Sequence, residues 1–187
     1  MRKNAARTNT KRLVLTAMSI ALCIVLPMAF HSIPNGGQIM LPMHIPVLLC
    51  GMICGAPYGA LCGLLGPLLS SVFTMMPSAA VLPGMMVECA VYGLVTGLML
   101  RRVHTGRIYL DLYLSLLTAM LLGRVISGVA KALLFQAGSY TFSAWIAASF
   151  VTALPGIALQ IIVLPTLVYY LMRAGVVPQR GERQEAH

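Results

Sequence analysis

Residues 119–135 read AMLLGRVISGVAKALLF. With the apolar residues before it, the stretch belongs to a segment over 109–135, long enough as a helix to cross the roughly 30 Å hydrocarbon layer of a bilayer. Yet it holds Arg124 and Lys131. Arg124, Ser127, Gly128 and Lys131 follow the i, i+3, i+4, i+7 spacing, which puts them on one stripe of a helix. A charge facing lipid is costly, so such a stripe belongs against other helices or a polar cleft. The stretch therefore calls for a bundle of transmembrane helices rather than a lone anchor.

The rest of the chain agrees. Of 187 residues, 59% are hydrophobic and only 9% are charged, whereas about a quarter of a soluble domain is charged. Six hydrophobic segments are expected, near 12–30, 43–56, 57–76, 79–101, 109–135 and 143–173, giving an all-α integral membrane bundle. The second is short for a full crossing, and Pro42, Pro46 and Pro57 punctuate it. The last contains Pro155 and Pro165 and is expected to kink. The basic start resembles that of a signal peptide, but no small-residue cleavage site follows, so the first segment is read as a retained helix.

Net charge is +9, and its placement argues against a nucleic-acid role. The basic residues concentrate at the N-terminus (Arg2, Lys3, Arg7, Lys11, Arg12), between the fourth and fifth segments (Arg101, Arg102, Arg107) and at the C-terminus (Arg173, Arg180, Arg183). The intervening loops carry none. Under the positive-inside rule all three basic places are cytoplasmic. The expected organisation is a cytoplasmic start over 1–11, a six-helix transmembrane domain over 12–173 and a cytoplasmic tail over 174–187.

Cys23, Cys50, Cys54, Cys62 and Cys89 all fall in apolar runs, without metal-ligand spacing, and read as small packing residues. Gly51, Gly55, Gly59 and Gly63 form a ladder at four-residue spacing, interrupted by Pro57, and Gly93 and Gly97 form a second pair. Small residues at that spacing let helix backbones approach closely in lipid. Ala17 and Ala21 form a third pair, which suits internal packing or an outward docking face.

Glu88 is the acidic residue expected deep in the bundle, roughly 13 Å in from residue 79. Arg124 lies roughly 22 Å and Lys131 roughly 33 Å along the fifth segment from residue 109. Arg124 and Glu88 therefore reach similar depth and are expected to pair. That leaves Lys131 either snorkelling to the outer interface or available to an acidic group on a small molecule. The outer loops add His31, Asn35, Gln38, His44, Gln136, Tyr140 and Trp145, and Gln160 lies below them. Together these suit the mouth of a half-apolar pocket.

No metalloprotease helix, nucleophile elbow, phosphate-binding loop or two-carboxylate site is present. The repeated halves typical of a self-sufficient carrier are also missing. Three readings stay open: a small-molecule binding subunit, an intramembrane enzyme using His44 and Glu88 as acid and base, and a structural subunit with a filled outer half.

The stretches LPMHIPVLLCGMICGAPYGALCGLLGPLLSS (41–71), MPSAAVLPGMMVECAVYGLVTGLMLR (76–101) and GRVISGVAKALLF (123–135) resemble the substrate-capture subunits (S-components) of energy-coupling factor vitamin transporters. The resemblance spans about residues 12–172. It implies six transmembrane helices and a vitamin held near the outer face. The implied partners are a membrane coupling subunit and two cytoplasmic ATPases, in the plasma membrane, with no cofactor of the subunit's own. The family's Ala-xxx-Ala docking feature matches Ala17 and Ala21. The closest group includes folate, pantothenate and hydroxymethylpyrimidine or pyridoxine carriers. No ligand motif carries over, so the expected site rests on position and chemistry: Lys131, Arg124, Glu88, His44, Asn35, Gln38, Gln136 and Ser127. Two cations against one carboxylate favour an anionic ligand, pantothenate first. If Glu88 faces the ligand instead, pyridoxine or a similar heterocycle fits better.

Overall fold

The computed structural model describes residues 2–29, 36–135 and 141–175. Among these every regular element is a helix, as the apolar segments require. The elements are α1 (Arg2–Ala29), α2 (Gly36–Met40), α3 (His44–Cys54), α4 (Ala56–Thr74), α5 (Leu82–Arg102), α6 (Ile108–Ala130), α7 (Phe142–Ile146) and α8 (Leu154–Arg173). A π-helical turn, Lys131–Phe135, extends α6, and a second, Ala147–Thr152, joins α7 to α8.

Five helices are long and apolar enough to cross a membrane: Asn9–Ala29, Ala56–Thr74, Leu82–Arg102, Ile108–Leu133 and Leu154–Arg173. The expected sixth crossing, α3, has 11 residues and reaches only about 16 Å. It stops at Gly55, whose φ of 98° ends the helix, and Pro57 opens the next one, where a missing N–H does no harm. Proline also sits in the first turns of α5 and α8. The last segment breaks at Ala153, just before Pro155, while Pro165 lies inside a continuous α8.

The glycine ladder is not one stripe, because Gly55 folds it back on itself. A Cβ built on Gly59 would stand 2.6 Å from Gly51 Cα, and one on Gly51 would stand 2.5 Å from Gly93 O. Glycine at these three places lets α3, α4 and α5 touch backbone to backbone. The five cysteines, Tyr92, Leu112, Leu116 and Leu164 fill the core around them.

Contacts fix the levels of the helices. Cys54 Sγ donates to Arg12 O at 3.6 Å, and the Tyr109 and Tyr169 rings stack at 4.8 Å, with Arg173 over Tyr169. The start of the membrane-length part of α1 and the end of α8 therefore lie at one end of the bundle, with the basic 101–107 turn. Cys23 Sγ donates to Met43 O at 3.7 Å, so α3 starts about 9 Å short of the far end of α1. His44 is thus recessed within the bundle. Asp111 is also fully buried, though not deep. It lies at the basic end and accepts from Thr105 N and Oγ1 at 3.0 and 2.7 Å.

Candidate functional site

The recess above α3 gathers polar side chains from four helices. Arg124, Ser127 and Gly128 are buried and Lys131 is a quarter exposed, so the basic stripe faces inward. Glu88, on α5, is its counterpart. Its Oε2 lies 3.7 Å from Lys131 Nζ and accepts from Ser127 Oγ at 3.2 Å. Its Oε1 accepts from Tyr92 Oη at 2.9 Å and lies 3.7 Å from His44 Nε2. Four groups therefore surround one carboxylate in a site largely shielded from solvent, where charge is stable only if paired.

The expected Arg124–Glu88 pair does not form; Lys131 and His44 take its place. Helical side chains lean toward the N-terminus of their own helix. The helices α5 and α6 are antiparallel, so Glu88 leans toward the far end and Lys131, while Arg124 leans toward the basic end. Lys131 is consequently not a lone cation. The Arg124 guanidinium instead lies 5.6 Å from the centre of the Phe150 ring, and its Nε and Nη2 have no hydrogen-bond partner among the described residues.

Close packing holds these groups in place. Trp145 lies so tightly on Gly128 that a Cβ there would strike its indole, and its Nε1 donates to Arg124 O at 3.2 Å. The Phe150 ring meets Trp145 edge-on at 5.6 Å. The Lys131 stem lies against Gly84, and the Tyr92 ring against Gly123. The π-helical turns carry Lys131 and Phe150, and such turns are frequent at functional sites.

On the opposite wall Gln160 of α8 is fully buried. Its Nε2 donates to Leu41 O at 3.5 Å, and its Oε1 has no partner among the described residues. The same carbonyl accepts from His44 N at 3.1 Å. The helix α2 seats on Gly156, where an added Cβ would stand 2.7 Å from Ile39 O.

The structure thus brings together Lys131, Glu88, His44 and Ser127, with Arg124 beside them. Asn35 and Gln136, like His31 and Tyr140, lie outside the described residues; Gln38 lies in α2, with its side chain outside them. Tyr92 and Phe150 were not foreseen. Tyr92 was legible in principle, one helical turn after Glu88 on the same face. Nothing local marked Phe150, whose place depends on the fold of 141–152. Among the described residues no group of His, Cys, Asp or Glu is arranged to hold a metal ion.

A family model described as the substrate-specific component of ECF transporters matches residues 11–168. The chain belongs to that family. Comparison with curated proteins and with solved structures returned no match. As an ECF S-component, the protein is a membrane-embedded, substrate-binding subunit that works with a coupling subunit and ATPase subunits. The family is one of transport subunits rather than enzymes, so the His44–Glu88 proximity is read as part of a binding site.

Proposed function

We propose that this S-component captures a small, water-soluble, anionic vitamin or related metabolite at the His44–Glu88–Arg124–Ser127–Lys131 cluster. Capture takes place from the extracellular side of the plasma membrane, and uptake is driven by the two partner ATPases. The observation that carries the reading is Arg124: a buried guanidinium with two nitrogen atoms lacking partners among the described residues. A guanidinium edge is suited to a carboxylate, which it meets through two parallel hydrogen bonds. Glu88 offsets one of the two cations, so one positive charge remains for the ligand to neutralise. Pantothenate, which joins a carboxylate to an amide and two hydroxyls, is the first choice. Asn35, Gln38 and Gln136, which the sequence assigns to the outer loops, would then meet its hydroxyl and amide groups.

A neutral or basic heterocycle such as pyridoxine or hydroxymethylpyrimidine would need the Glu88 carboxylate. Both of its oxygens already face donors within the chain, which favours the anionic ligand. In the proposed topology α3 serves as a short sixth pass and both termini are cytoplasmic, supported by the basic residues at one end of the bundle. Ala17 and Ala21 are exposed on α1 between Leu13, Met18, Leu22 and Val25. Such a shallow strip between large apolar side chains suits docking of the coupling subunit.

The test is equilibrium binding of pantothenate and of its neutral alcohol, pantothenol, to the purified protein. The proposal expects the acid to bind at least tenfold more tightly. Preference for the alcohol, or for pyridoxine, would refute the anionic site.

A further inference from the structure

Gln160 occupies a place that the charged cluster does not explain. It is fully buried, yet its Oε1 lacks a donor among the described residues. A buried acceptor left without a donor carries a desolvation cost, and native structures rarely keep one without a use. The Nε2 contact to Leu41 O at 3.5 Å favours this orientation, since turning the amide over would set Oε1 against that carbonyl, an acceptor facing an acceptor. That carbonyl is itself held by His44 N, and Leu41 turns the chain into α3 with a φ of 49°, a costly conformation for a branched residue. The ring nitrogens of His44 also lack hydrogen-bond partners. Gln160 and His44 thus meet at one carbonyl, His44 Nε2 faces Glu88 at 3.7 Å, and Arg124 lies one helical turn before Ser127, which donates to the same carboxylate.

We infer that Gln160 is a specificity-determining residue, whose Oε1 accepts a hydrogen bond from an N–H or O–H group of a ligand that also carries an anionic group toward Arg124. The ligand is therefore bifunctional. A simple carboxylic acid without a donor satisfies only one wall of the site, and a neutral polar molecule only the other. Rejection of the molecule lacking the donor follows from leaving a buried polar group unpaired. This inference rests on the reading of the cluster as the capture site and assigns the second half of its recognition.

The experiment measures binding to purified protein of pantothenate, biotin, folate, nicotinate, thiamine, riboflavin, pyridoxine and pantothenol. The tightest ligand is then titrated against Gln160→Leu and Gln160→Asn. The tightest ligand is expected to combine an acid with an N–H or O–H donor. Both variants should weaken it about tenfold or more, the size expected for one buried hydrogen bond. The preference for the acid over its neutral counterpart should survive in the Gln160 variants and collapse in Arg124→Gln, a separation that general loosening of the bundle would not produce. Parent-like binding by both Gln160 variants overturns the assignment of Gln160 while leaving the anionic site standing. A tightest ligand without a donor also overturns it. If no compound in the set binds, the capture reading itself fails, and this inference with it.

Discussion

Glu88→Gln should destabilise the protein and yet tighten its hold on an anion, two effects with opposite sign from one atom change. The carboxylate lies 3.7 Å from Lys131 Nζ, in a pair whose members are 24% and 13% exposed. At an effective dielectric of about 20, two unit charges at that distance attract by about 4 kcal/mol. Breaking a buried pair by removing one partner typically costs about 3–5 kcal/mol. The partial exposure of Lys131 places the expected loss below that range, at about 2–3 kcal/mol. For a domain of this length that corresponds to a fall in melting temperature of roughly 5–10 °C. The same change frees Lys131 and removes a negative charge near the guanidinium. An anion about 8 Å from the lost charge gains about 2 kcal/mol at the same dielectric, or roughly thirtyfold in affinity. Thermal melting and equilibrium titration of parent and variant, in the same detergent and at the same salt, read both quantities. Pantothenol, which has no charge, should show no comparable gain. Weaker binding of the anion by Glu88→Gln would mean that the carboxylate touches the ligand directly, and the electrostatic reasoning would be wrong.

Lys131→Ala should weaken an anionic ligand by about tenfold or more, while affecting a neutral one little, because it removes one of two cations; comparative titration reads the difference. Gly93→Ala should destabilise the bundle by about 1–3 kcal/mol, since its Cβ would meet Gly59 backbone that no rotamer change can clear; the measurement is again thermal melting, and a parent-like value would contradict the close α4–α5 contact. Ala17→Trp should leave ligand binding intact but abolish co-purification with the coupling subunit, and unchanged uptake would count against the α1 surface.

The fold class could be read from the sequence because lipid imposes strong rules: apolar length marks the long helices, five of which are long enough to cross, while the second segment forms only the short α3. The inward direction of the Arg124–Lys131 stripe was equally legible, since the cost of charge in lipid leaves few alternatives. The partner of Glu88 was not. Depth along a helix places Cα atoms, but pairing depends on which way each side chain leans, and on antiparallel helices Glu88 and Arg124 lean apart. The Gly51–Gly63 ladder, interrupted at Pro57, was legible as a set of helix contacts; which faces meet was not, because that follows from the positive φ of Gly55, which folds the ladder into two faces that meet each other and Gly93. Phe150 and the π-helical turns were invisible, because their placement follows from packing against Arg124 and Trp145 rather than from any local pattern.

The most direct test of an anion-capturing site in the recess above α3 is mass spectrometry of small molecules retained by the purified protein and by Arg124→Gln. The account predicts a retained acid in the parent and its loss from the variant, with the variant still folded. A neutral or cationic molecule in the parent, or the same acid held equally by Arg124→Gln, would contradict it.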